Sequence, residues 1–159
     1  MTTAPEPEPI TRWAAGRDGD ALWLNATAVA LDDAGLLILG AAGAGESSLA
    51  LALMALGATL ISDDGLWLRI GEDRAMLERP AQSPDLIEAR GIGLLRAGPI
   101  TPAAALDIVV DLDRQEDMRL PPRRLVAIGD RTCPLILGRG QPTLASSLVI
   151  MARHGRAEP

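Results

Sequence analysis

The chain has 159 residues, 48% of them apolar, and carries 15 basic against 21 acidic side chains for a net charge of −6. That length suits one domain with a single substantial core, and an acidic balance without a basic cluster argues against nucleic-acid binding. Phe and Tyr are absent and only three Trp occur, so the core must be built from Leu, Ile, Val and Ala. Apart from His154, every basic side chain is an arginine; there is no lysine. Cys133 is alone, which excludes a disulfide framework and a cysteine metal set. The N-terminus lacks a cationic region followed by an apolar one, so no signal peptide is expected and a cytoplasmic location fits.

In chain order, residues 1–12 are expected to be a disordered segment, because Met1 to Pro9 alternates Pro and Glu with small residues and can bury nothing. One domain is expected over 13–157. From Ala21, Leu22-Trp23-Leu24 and Ala28-Val29-Ala30-Leu31 read as strand, and Asp32-Asp33-Ala34-Gly35 as a turn. Gly35 to Leu39 is continuously apolar, as a central strand buried on both faces should be. It runs into Gly40-Ala41-Ala42-Gly43-Ala44-Gly45-Glu46-Ser47 and then into a helix from Ser48 to Leu56. The leucines of that helix cover more than one face and predict burial nearly all round. Ser47 to Ser62 lacks charge, but Gly57 interrupts it, so it reads as a buried helix and strand and not as a membrane span.

Strand, glycine-rich loop and helix form the setting of a phosphate-binding loop. The glycines let main-chain N–H groups curl inward around an anion, and the helix N-terminus adds partial positive charge. The pattern G-x-x-x-x-G-K-[ST] is broken at one position: Glu46 stands where a lysine would reach the phosphates. Two like charges about 4 Å apart at an effective dielectric near 20 repel by roughly 4 kcal/mol, about three decades of affinity. Three consequences are open. The site does not bind, or Mg²⁺ bridges Glu46 to phosphate, or the Glu46 carboxylate folds back into the nest. The plain alternative is a first-turn acid favoured by the helix dipole and nothing more.

Thr59-Leu60-Ile61 reads as a short buried strand ending on Ser62-Asp63-Asp64. Adjacent acids there suit a Mg²⁺ ligand or a general base beside the loop, or else a solvated turn. Leu66 to Ile70 and Ala75 to Leu77 read as a hairpin. Within Leu86 to Leu95, Glu88 and Arg90 are two apart and so lie on one side of an extended strand. They are either aimed at a site or an ordinary surface pair. Gly91 and Gly93 suggest a loop that something approaches closely. Leu106 to Leu112 reads as strand, Asp113 to Met118 as a polar connection, and Arg123 to Ile128 with Thr132 to Leu137 as a hairpin around Gly129-Asp130. Pro142 opens a last helix with a core stripe of Leu144, Leu148 and Met151, ended by Gly155; His154 suits its C-terminus as a cation.

Four segments together resemble HPr kinase/phosphorylase in its short, C-terminal-domain-only alphaproteobacterial form: Asn25 to Ala30, Gly40 to Ser47, Gly57 to Asp64 and Leu86 to Leu95. The resemblance covers roughly residues 20 to 155. It implies an α/β fold, P-loop-containing, with a phosphoenolpyruvate-carboxykinase-like core of mixed β-sheet and few helices. It implies a serine kinase that uses ATP and Mg²⁺ on the carrier protein HPr, reverses the reaction by phosphorolysis, and is a homo-oligomer, a hexamer in the full-length family members. Gly40, Ala41, Ala42, Gly43, Ala44, Gly45, Glu46 and Ser47 would then hold the nucleotide phosphates. Ser47 and Glu88 would bind Mg²⁺, Asp64 would take the serine proton, and Glu88, Arg90, Gly91 and Gly93 would form the substrate loop. The arginine that touches the transferred phosphoryl would fall at Arg119. The chain departs from the family where its histidine falls at Asn25 and its lysine at Glu46. Phosphoryl transfer rests on positioning and charge stabilisation, so a weak kinase is expected; the alternative is an inactive relative that binds HPr or a partner kinase as a regulatory module.

Overall fold

The computed structural model describes residues 4–158. Its elements run β1 (Glu8–Pro9), a 3₁₀ turn (Ile10–Trp13), β2 (Ala14–Asp18), β3 (Ala21–Leu24), β4 (Thr27–Leu31), β5 (Ala34–Leu39), α1 (Glu46–Ala55) and β6 (Thr59–Ser62). There follow β7 (Leu66–Ile70), β8 (Ala75–Glu78), β9 (Leu86–Ala89), β10 (Gly93–Arg96), β11 (Ala103–Asp111), β12 (Leu125–Ile128), β13 (Arg131–Leu137) and α2 (Leu144–His154). This is the mixed α/β architecture with few helices that the resemblance implies.

The hub is β11. It pairs in parallel with β5 and β13 and antiparallel with β8 inside an eleven-stranded sheet, while β9 and β10 form a separate hairpin. The register sets Asp111 against both Leu39 and Leu137, so three parallel strands end flush. Loops leaving such a rim are where ligands bind in open α/β sheets.

The unbroken apolar run of β5 is explained by burial on both faces. Leu37 and Leu39 enter one core with Leu24, Leu66, Leu68, Leu77, Val109 and Leu135, which the strands close with no helix but the 3₁₀ turn. Leu36 and Ile38 enter the other, against Leu49 and Leu53 of α1 and Leu148 and Val149 of α2. Strand alternation assigns these neighbours to opposite faces.

Three expectations are corrected. Within residues 1–12, the first three lie outside the described residues. Glu8-Pro9, however, pairs in parallel with Val126-Ala127, and Ile10 is 2% exposed. A proline is tolerated there because the strand is short and on an edge. Helix α1 is not buried all round: Leu49, Ala50 and Leu53 are buried, whereas Leu56 is 44% exposed. Glu88 and Arg90 do not share an extended strand: Glu88 is in β9, Arg90 is in the turn where Ile92 N–H donates to Ala89 C=O, and β10 follows.

Candidate active site

Between β5 and α1 the chain curls as expected. Gly43 (φ 86°) and Gly45 (φ 104°) take left-handed conformations that other residues adopt at a cost. Gly40 is fixed by crowding instead, since a Cβ there would lie 2.8 Å from the Ala44 Cβ. The curl borders a cavity of about 250 Å³ lined also by Glu46, Ser47, Ser48, Asp64, Glu88 and Arg90. The loop, the second aspartate and the Glu88–Arg90 pair, far apart in sequence, thus share one hollow.

The twin acids divide the work. Asp63 turns inward, accepting hydrogen bonds from Ser47 Oγ at 3.0 and 3.1 Å and from Thr27 Oγ1 at 2.7 Å. Asp64 is exposed on the cavity wall. It holds a left-handed backbone (φ 67°) in a tight turn that Ser62 Oγ closes onto the Gly65 carbonyl at 2.6 Å. Such strain in a non-glycine residue needs surrounding structure to hold it. Gly65 supplies part of that, because a Cβ there would strike the Trp23 ring at 2.4 Å. Burial, then Asp63, then Glu88, push the Asp64 carboxyl above its ordinary range, the direction a general base requires.

Glu46 settles on its own helix. Its Oε1 lies 3.5 Å from where a Cβ of Gly40 would be. The side chain is therefore folded back over the curl. Burial first, with Asp113, Asp64 and Asp63 adding repulsion, raises its pKa. Three carboxylates line the cavity against one guanidinium, Arg90. The shape fits phosphate; the charge does not. Among the described residues no group of three or more His, Cys, Asp or Glu is gathered to hold a metal. A Mg²⁺ at Ser47 or Glu88 would need phosphate oxygens to fill its shell.

The other expected site residues fall differently. Asn25 lines no part of the hollow; its Oδ1 accepts a hydrogen bond from Trp23 Nε1 at 3.1 Å, bracing the ring beneath Gly65. Arg119 borders a separate cavity with Arg124 and Leu144, so it does not reach the loop here. Arg90 lies in the turn after β9 and not on an extended strand, yet faces the same hollow as Glu88. Gly91 and Gly93 are glycine for their positive φ (81° and 137°), with nothing close enough to crowd a Cβ.

Asp113 is a participant the sequence did not disclose. Its carboxylate accepts the Ala41 N–H at 2.9 and 3.1 Å, taking one donor of the curl. The register Leu39 to Asp111 carries Ala41 and Asp113 two residues on to the same place. No local pattern signals it; only knowledge that β5 and β11 pair in parallel would.

Fold and site together define a P-loop-type α/β domain built around a would-be phosphate site with adjacent acids. The HPr Serine kinase C-terminal domain profile matches residues 21–124, and the chain belongs to that family. It is 33% identical over 129 residues to the HPr kinase/phosphorylase of Caldicellulosiruptor bescii, covering 77% of this chain and 39% of that protein. To the HPr kinase/phosphorylase of Caldanaerobacter subterraneus it is 34% identical over 90 residues, 52% of this chain and 30% of that protein. The chain thus spans between 30% and 39% of the length of these relatives. The HPr(Ser) kinase/phosphatase of Coxiella burnetii superposes with a TM-score of 0.67 at 23% identity, over 82% of this chain and 88% of that one, which shows the fold. Among the described residues no helix is long and apolar enough to cross a membrane.

Proposed function

We propose that this chain is a serine kinase/phosphorylase domain of the HPr type that keeps its base, Asp64, lacks the family histidine at Asn25, and has a disabled phosphate-holding half. The observation that carries this is that Glu46, at the lysine position, lies over the curl and lines the same cavity as Asp64. Asp64 is exposed, has a raised pKa and sits in a left-handed turn; it would accept the proton of a serine hydroxyl on an HPr-type partner. ATP would supply the phosphoryl group, and the curl from Gly40 to Ser47, with Ser47 and Glu88 toward Mg²⁺, is what would hold it. Three carboxylates line the cavity where those phosphates would lie, and Arg90 alone opposes them. Activity of the chain as it stands is therefore weak.

The second reading is a regulatory module that binds HPr without turnover. The acidic lining of the loop cavity favours it, since three carboxylates repel a nucleotide's phosphates. Isothermal titration with Mg²⁺-ATP, on this chain and on Glu46→Lys, tests the reading. Binding is expected to be millimolar or undetectable before the change and at least tenfold tighter after it. Equal binding by both overturns the account of Glu46. Phosphoserine on HPr, read by mass spectrometry with Glu46→Lys, separates a kinase from a binding module.

A further inference from the structure

A second cavity, of about 160 Å³, opens between the 116–124 segment, β13 and the start of α2. Its walls are largely apolar, formed by Met118, Pro121, Leu135, Leu137 and Leu144. Its charges are three arginines, Arg119, Arg124 and Arg156, against one carboxylate, Glu116. Arg124 is committed to that carboxylate through two bonds, Nε to Oε2 at 2.7 Å and NH2 to Oε1 at 3.1 Å. Arg156 donates to the Pro121 carbonyl, which satisfies a hydrogen bond, and among the described residues it has no carboxylate partner. Arg119 is exposed and makes no hydrogen bond or ion pair among the described residues.

In a chain of net charge −6, an apolar hollow with two guanidinium groups that have no carboxylate partner among the described residues runs against the overall balance. Water satisfies such a rim but wets the apolar wall poorly, and a neutral hydrocarbon would do the reverse. A molecule with an apolar body and one anionic end satisfies both. The planar fork of arginine suits a carboxylate, which it can hold by two parallel bonds. A cavity of about 150 Å³ takes a benzene ring, so the body has about six carbons. We infer that this cavity binds a small organic carboxylate, its ring or chain against Leu135, Leu137 and Leu144 and its carboxylate on Arg119. This site is separate from the phosphate loop and does not depend on the function proposed for it.

Titration of the intact chain with benzoate, and with benzamide as a neutral probe of the same shape, tests the inference. Benzoate should bind saturably and at least tenfold tighter than benzamide. Arg119→Met keeps the length of the side chain at an exposed position, and its melting temperature checks that the fold is unchanged. It should remove most of the preference for benzoate. Glu46→Lys should leave benzoate binding as it was. No saturable binding, equal binding of benzoate and benzamide, or a benzoate preference untouched by Arg119→Met overturns the proposal. So does tighter benzoate binding by Glu46→Lys, which would place the anion in the phosphate loop.

Discussion

The two cavities pair shape and charge in opposite ways. The loop cavity has the form of an anion site, with left-handed glycines and a helix N-terminus, yet three carboxylates border it and one of them lies folded over the curl. The cavity beside α2 has no such preformed nest, but its guanidinium groups outnumber its carboxylates three to one. Backbone geometry is fixed by glycines and strand register, and it survives the change of one side chain. Charge is set by single side chains and does not. A site can therefore keep the shape of its chemistry after losing the charge, and the first cavity is where the difference can be tested.

The largest effect should come from removing the base after the charge has been repaired. In a Glu46→Lys background, Asp64→Asn should lower the rate of serine phosphorylation by about 10²–10⁴-fold, the range typical of general-base catalysis. Mass spectrometry of HPr over time measures it. A fall of less than threefold would mean that Asp64 is only a wall of the cavity. Next is Asp113→Asn, again with Glu46→Lys. It removes a negative charge beside the curl and a charged acceptor from Ala41 N–H. Phosphate affinity should rise several-fold while stability falls by about 1 kcal/mol, only part of the worth of a hydrogen bond to a charged group, because Asn still accepts from Ala41 N–H at this exposed site. Affinity that falls instead would show that Asp113 holds the curl open. Smaller still is Thr27→Val, which deprives Asp63 of one donor at 2.7 Å. About 1 kcal/mol of stability should be lost in urea denaturation. Ser47 still donates to Asp63 and keeps it paired.

Legibility followed the range of the interactions. The P-loop strand, its glycines, the hairpins around Gly71 and Gly129, and helix α2 rest on contacts a few residues apart, and local pattern discloses them. The paired role of Asp63 and Asp64 is half legible: two acids at a strand end flag a site, but which one faces the cavity depends on Thr27 and on a left-handed turn braced by Trp23. Asp113 was hidden because it reaches Ala41 across 72 residues through a parallel register. Arg119 misled for the same reason, since its place depends on the course of the 113–124 segment. Edge strand β1 was masked by a proline that ordinarily argues against a strand.

The smallest effect tests whether Glu46 is a misplaced charge or a welcome one. The helix N-terminus and its own amide favour the carboxylate, while burial, Asp113, Asp64 and Asp63 oppose it, and the balance raises its pKa. A raised carboxyl pKa means that the fold prefers the proton. Relative to Glu46→Gln, the parent then loses nothing below the ordinary glutamate value of 4.5, and it loses stability as pH climbs from there through the raised value. Glu46→Gln should therefore melt above the parent at pH 7, and the gap should close as the pH is lowered toward 4. The shift is modest, on a scale where 1 kcal/mol moves the midpoint by about 2–4 °C in a domain of this size. A parent that melts higher than Glu46→Gln at pH 7 would show the helix dipole winning over the surrounding acids. Glu46 would then be a settled first-turn residue, and the loop cavity would have adapted to its acid.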